Sequence, residues 1–389
     1  MHNLLFITTY TGIGGGETLQ LALMGALDRE RYRLHLVTPR PGKFPEAAAA
    51  LGVKVAAIPY RGTSTLFVPG LWEQLPITRN LGSYLRAHDI HAIMSDYHTL
   101  PFIVPAAERL RIPVLWNIMG WWFPVRHWQR SFFEQRIAER VAITAAVREK
   151  LLGSPPKLDP ACIDVQIPGI DVRHFAPDAP GVDAMRVRAR LGIDAQTPLV
   201  GLVGRFQFNK GHEVFQEAAR HVLNALPDAR FVAAGDNVGS FKVPKDEAYK
   251  AAILKAAQDD PRLRDRLTYL GFYPDVRDVI AAADVMVCSS YYESLSMTAM
   301  EAMAMARPMV STRVGGPSET IRDGMTGYLV PPHDGEALAA PIIRLLRDPA
   351  LRAAMGAAGR RHAVEALSVE RYAAVMSAKF DAMIARQSH

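Results

Sequence analysis

The segment from Val285 to Thr312, VMVCSSYYESLSMTAMEAMAMARPMVST, is small or apolar almost throughout, yet it holds two carboxylates, Glu293 and Glu301, with seven residues between them. Charged side chains are seldom buried without a partner. Two acids in such a stretch are therefore either capping and surface residues or groups kept for a ligand. The pattern reads as strand, turn, helix. DVMVCSS is the strand and YYES the turn. The helix starts near Leu295 or Ser296 and runs to about Ala306, before Pro308, with Ser294 or Ser296 as N-cap. First-turn amides of such a helix lack intrahelical acceptors, and the helix dipole adds positive potential there, so the end suits a phosphate. Glu293 falls in the loop before that end. Glu301 falls about one and a half turns in, near the carboxyl edge of the strand, where doubly wound sheets bind ligands. Carboxylates accept hydrogen bonds from sugar hydroxyls, so a diphosphate flanked by two sugars would use the whole arrangement.

Two further stretches carry chemistry-bearing types. GLVGRFQFNKG places Arg205 and Lys210 just past an apolar strand. Two cations there could neutralise a diphosphate and stabilise a departing one, or could be solvated loop charges. TGIGGGET follows the first strand and opens a helix, and its glycines let backbone approach a ligand closely. It is not a dinucleotide fingerprint, because Glu17 stands where the third glycine should be and the second strand ends in VTPR without an acidic residue.

The elements that must position these groups alternate. NLLFITTY, YRLHLVTP, VKVAAIPY, HAIMSD and PVLWNIMG read as buried strands with helical patterns between several of them. A stretch broken by prolines and glycines, QIPGIDVRHFAPDAPGVDAMRVRARLGIDAQTP, reads as an interdomain connection without regular structure. LVGLVG, ARFVAAGD, LTYLGF, DVMVCSS, PMVSTR and GYLV form a second strand series, again with helices between. A chain of 389 residues is long for one core. The expectation is α/β, two doubly wound domains: 1–170, 171–365, and a C-terminal helix over 366–389 that could fold back on the first.

Composition excludes several classes. The chain is 49% hydrophobic and 22% charged, as in ordinary globular proteins. Two cysteines, Cys162 and Cys288, give neither a disulfide framework nor a zinc cluster and suit a reducing compartment. No signal peptide or spanning segment is read, so the expected location is cytoplasmic. Residues 1–175 hold 19 Lys and Arg against 14 Asp and Glu, and the remainder 26 against 25. That modest basic excess, with NIMGWWFPVRHWQRSFFEQRIAERVA intermixing Trp121, Trp122, Phe123, Trp128, Phe132 and Phe133 with Arg126, Arg130, Arg136 and Arg140, leaves three readings open. They are peripheral contact with an anionic membrane, an acceptor wall, and a helix with aromatics in the core and arginines in solvent. Nothing else supports nucleic acid.

Taken together, IPGIDVRHFAP, GLVGRFQFNKG, LPDARFVAAGD, YLGFYPDVRDVIAAADVMVCSSYYES, the paired glutamates and EAMAMARPMVSTRVGGPSETIRDGMTGYLVPPHD resemble the retaining glycosyltransferases of family four, over roughly residues 166–335. GGGE extends the resemblance to the N-terminus. It implies the GT-B fold, two Rossmann-like domains facing across a cleft. It also implies transfer of a sugar from a nucleotide-diphosphate donor of UDP or GDP type to a hydroxyl acceptor (a sugar, a lipid-linked group or a small molecule), with no cofactor and no metal. Arg205 and Lys210 would hold the diphosphate, with Gly204 and the backbone of Ser294, Leu295, Ser296 and Met297. Glu301 would hold the ribose and Glu293 the transferred sugar. The base would lie near Leu270 to Phe272, and Gly15 and Gly16 would approach from the other domain. The chain departs from the pattern twice. ESLSMT replaces the glycine-rich run after the first glutamate, and Met119 stands where relatives often carry a histidine that touches the sugar. His98, in SDYHTLP, could cover part of that role. An epimerase or hydrolase on the same fold, or a non-catalytic nucleotide-sugar-binding subunit, remains as an alternative.

Overall fold

In a computed structural model the described residues are 1–61, 76–120, 125–237 and 243–387. Trp121, Trp122 and Phe123 lie outside them. The first unit takes Met1–Gly169 together with Val369–His389, and the second takes Ile170–Ser368.

The first unit is built on seven parallel strands: β1 (His2–Ile7), β2 (Tyr32–Thr38), β3 (Lys54–Ala57), β4 (Ile90–Ser95), β5 (Val114–Ile118), β6 (Glu139–Ala142) and β7 (Asp164–Val165), in the order β3-β2-β1-β4-β5-β6-β7. The second has six, also parallel: β8 (Leu199–Val203), β9 (Arg230–Ala234), β10 (Leu267–Gly271), β11 (Val285–Cys288), β12 (Met309–Thr312) and β13 (Gly327–Val330), in the order β10-β9-β8-β11-β12-β13. In both the strand order reverses at the middle, between β1 and β4 and between β8 and β11. Ligands of such sheets bind outside the carboxyl ends at that reversal. This is the doubly wound, Rossmann-like α/β architecture the alternation predicts, twice over.

Why these segments become central strands is legible in their burial. β5 (VLWNI) and β11 (VMVC) are buried at every position, as strands covered by helices on both faces must be. Leu4, Phe6, Tyr32, Leu34 and Phe44 form one core with Tyr372, Phe380 and Met383 from the helix Val369–Ala385. The second core gathers Val200, Phe215, Phe231, Val285 and Ile342.

Three local expectations are corrected. The aromatic and basic stretch is not one helix: a 3-10 turn (His127–Gln129) and a short helix (Arg130–Gln135) are followed by β6, and β7 lies beyond it. Its aromatics divide, with Phe132 and Phe133 buried and Trp128 exposed. Phe133 stacks on Trp116 at 4.7 Å. The arginines divide as well: Arg126 and Arg130 are exposed, as the solvated reading expects, whereas Arg136 and Arg140 are partly buried. Arg140 donates to the carbonyls of Cys162 and Phe133, Arg136 pairs with Glu108, and Arg130 with Glu134. The broken connection, finally, holds a helix, Ala184–Arg190, whose N-cap Asp183 accepts from the amides of Met185 and Arg186. One side-chain cap outweighs the disorder its flanking prolines and glycines suggest.

Candidate functional site

At the reversal between β8 and β11 three loops are fastened to one another. After β8, Gly204 donates to Ala234 O (2.9 Å), and a Cβ at Gly235 would collide with the Gly204 carbonyl. Arg205 follows, partly exposed, its carbonyl 3.0 Å from His212 Nε2. His212 is buried, stacks on Phe206 at 4.6 Å, and burial lowers its pKa to about 4, so it supports the loop as a neutral ring. The 3-10 turn Phe208–Lys210 then ends at Gly211, which has φ +62°. A Cβ there would collide with Ser289 O, so only glycine lets the β8 and β11 loops meet. Ser289 Oγ donates to Lys210 O (2.9 Å) and the Tyr291 amide to Asn209 O (2.8 Å).

From the β11 side come the acids. Glu293 forms an ion pair with Lys210 and lies 3.3 Å from Ser290 Oγ. Burial works against the charge on Lys210, but the Glu293 carboxylate outweighs it and the ammonium pKa is raised. The helix itself is Met297–Ala304, capped by Ser296, whose hydroxyl accepts from the Ala299 amide (3.3 Å). Thr298 Oγ1 in its first turn donates to Val203 O (3.3 Å), tying this N-terminus to the end of β8. Glu301 is 7% exposed, and no described residue hydrogen-bonds or pairs with its carboxyl. Burial alone raises its pKa to about 7.

The structure therefore brings Gly204, Arg205, Lys210, Glu293, Ser294, Leu295, Ser296, Met297 and Glu301 onto the loops and helix of one sheet edge. The base-site trio divides. Leu270 is buried in a small core with Val187 and Val279, whereas Phe272 is 63% exposed just past β10. Gly15, Gly16 and His98 belong to the first unit. Gly15 and Gly16 open the helix Gly15–Ala26, where the Glu17 carboxylate accepts from the Gly14 amide (2.8 Å), the acidic half of a capping box. Glu17 thus stands where a fingerprint would have glycine because it caps. Met119 follows β5, with its methyl 3.2 Å from where a Cβ on Gly16 would sit and its sulfur 3.9 Å from Gln20 Nε2. His98 follows β4, edge-on to Tyr10 at 6.0 Å.

Sequence reasoning assigned no role to Gly315 and Gly316, which fix the Glu293 loop. Gly315 has φ +38° and a Cβ on it would collide with Glu293 O; the Gly316 amide donates to that same oxygen at 3.2 Å. The signal was present: two glycines directly after a strand, in STRVGGPSE. Among the described residues no group of three or more His, Cys, Asp or Glu is arranged to hold a metal ion, and no helix is long and apolar enough to cross a membrane.

Residues 197–348 match the model of the family "Glycosyl transferases group 1", and residues 14–153 match "Glycosyl transferase 4-like domain". The chain belongs to the group 1 glycosyltransferases. Among curated relatives of this glycosyltransferase family, the chain is 36% identical over 254 residues to the D-inositol 3-phosphate glycosyltransferase of Mycolicibacterium vanbaalenii, covering 61% of this chain and 54% of that protein. It is 32% identical over 257 residues to the alpha-maltose-1-phosphate synthase of Mycolicibacterium smegmatis, covering 64% of each. The chain spans about half the length of the first of these relatives. Among solved structures, Anabaena HepE in complex with UDP superposes with a TM-score of 0.81 at 18% identity, covering 98% of this chain and all of that one, a likeness of fold.

Proposed function

We propose that this chain moves a sugar from a nucleotide-diphosphate donor of UDP or GDP type to a hydroxyl acceptor, with retention of anomeric configuration. The observation that carries this reading is the single sheet edge that offers a cation, a capped helix N-terminus and two unlike carboxylates. Arg205, Lys210 and the amides at Leu295 to Met297 hold the diphosphate and take up the charge that grows on it as the sugar–oxygen bond breaks. Glu301, buried and unpaired, accepts from the ribose hydroxyls, and Glu293 from those of the transferred sugar. The ring of Phe272 and the strand-end backbone beside it receive the base. Since side chains and amides supply the positive field, no metal is required. The likeness to a D-inositol 3-phosphate glycosyltransferase and an alpha-maltose-1-phosphate synthase favours a polyhydroxylated acceptor. His98, Gly15 and Gly16 are proposed to serve from the first unit.

The test is incubation with radiolabelled UDP- and GDP-sugars and a panel of polyol, sugar-phosphate and glycolipid acceptors. Label appearing in an acceptor with the donor's anomeric configuration supports the reading. Donor conversion without transfer favours an epimerase or hydrolase, and binding without either a non-catalytic subunit, the outcome that Met119 keeps in view.

A further inference from the structure

Lys210 and Glu293 reach the β8/β11 reversal from opposite sides, 83 residues apart in sequence, and their ion pair lies across the edge where the diphosphate is placed. Their side chains are only 24% and 14% exposed. Neither backbone can withdraw. Lys210 is held by Ser289 Oγ on its carbonyl and by the left-handed Gly211 that follows, Glu293 by the Gly316 amide and by Gly315 packed against its carbonyl. Only side-chain rotation can part the pair. A shielded carboxylate that loses its counter-charge is strongly disfavoured unless other donors replace it, and Ser290 Oγ at 3.3 Å is one such donor already in place.

We propose that the Lys210–Glu293 pair is a latch across the donor site: the diphosphate opens it by taking Lys210, and the hydroxyls of the transferred sugar then occupy the released Glu293. The latch rests on the nucleotide-sugar reading above. An intact donor satisfies both halves of the opened pair. A bare nucleoside diphosphate takes Lys210 but leaves Glu293 beside its negative charge without hydroxyls. The latch therefore favours donor over spent nucleotide and helps product to leave, which makes Glu293 a positioning residue for Lys210 as well as a ligand for sugar.

The experiment is calorimetry of UDP, GDP and the matching intact donor with the full chain as wild type, Glu293→Gln, Lys210→Met and the double variant. In wild type the donor binds at least tenfold more tightly than the bare nucleotide. Glu293→Gln tightens the bare nucleotide about tenfold and loses most of the preference for donor, and the tightening disappears in the Lys210→Met background. Unchanged or weaker nucleotide binding by Glu293→Gln overturns the latch, as does tightening that survives without Lys210. Should a variant fail to fold, wild type alone decides: bare nucleotide bound as tightly as donor also overturns it. Failure of wild type to bind any nucleotide or donor instead overturns the nucleotide-sugar reading itself.

Discussion

The two units reverse their strand order in the same way, yet spend their polar groups at that place differently. In the first, Asp96 beyond β4 accepts from Thr8 Oγ1 (2.6 Å), the Thr9 amide (3.4 Å) and the Thr99 amide (3.0 Å), and Glu17 caps its own helix. Both acids are consumed in holding loops to the sheet. In the second, among the described residues, nothing donates to the Glu301 carboxyl, which is buried, and the Glu293 carboxylate is bound by a lysine and a serine. Topology says where a ligand can sit, and the carboxylates not spent on capping or loop fastening say which unit offers acceptors to a hydroxyl-rich one.

The contrast is broken or sharpened most strongly by Glu293→Ala, which should lower turnover on the order of a hundred- to a thousandfold, because the transferred sugar loses its hold and the lysine its partner. Asp96→Ala should leave steady-state binding of nucleotide intact but destabilise the first unit by about 2–4 kcal/mol, since two hydroxyls (Thr8 and Thr99) and two amides lose an acceptor. Thermal melts paired with nucleotide calorimetry separate the two kinds of loss. An Asp96 variant that folds well but no longer binds nucleotide would erase the distinction between the units.

Glu301 gives a pH signature of about 3 kcal/mol at most. Its native pKa, about 7, is raised by burial from 4.5, so between those values the folded chain keeps a proton that the unfolded chain releases. Stability of the ligand-free protein should therefore fall as pH rises from about 4.5 to 7, and Glu301→Gln should flatten that fall. In denaturant titrations at pH 5 and 7.5, an equal change in stability for wild type and variant would mean that the carboxyl is not buried as described. Nucleotide should restore part of the loss near neutrality by supplying hydroxyls to the ionised form. The smallest expected effect is that of EDTA, which should change transfer less than about twofold; complete loss restored by Mn²⁺ or Mg²⁺ would mean that the cationic edge is not sufficient for the diphosphate.

Much of this was written in the chain. The six strands of the second sheet and five of the first follow from apolar runs bounded by turn residues, and of the two serines that could cap the helix, Ser294 and Ser296, it is Ser296 that does. β6 and β7 were hidden, because ERVA is short and follows an aromatic stretch that reads as helix. The burial of Glu301 could be suspected from its neighbours, but the absence of a partner is a three-dimensional fact. The Lys210–Glu293 pair was illegible for the same reason: it depends on β8 and β11 being adjacent and on three glycines that let their loops close. Family resemblance named both residues and gave no hint that they would meet each other.

The helix Val369–Ala385 completes the core of the first unit although the whole second unit intervenes in sequence. On the ribosome the first sheet therefore emerges before the second unit and is completed after it. Until the helix Val369–Ala385 arrives, the apolar face made by Leu4, Phe6 and Tyr32 has no cover from Tyr372 and Phe380, while the second unit already has all of its own strands and can fold. A chain that stopped just after Ser368 would carry a complete second unit attached to an unfinished first, a species that quality-control proteases can recognise by its exposed core.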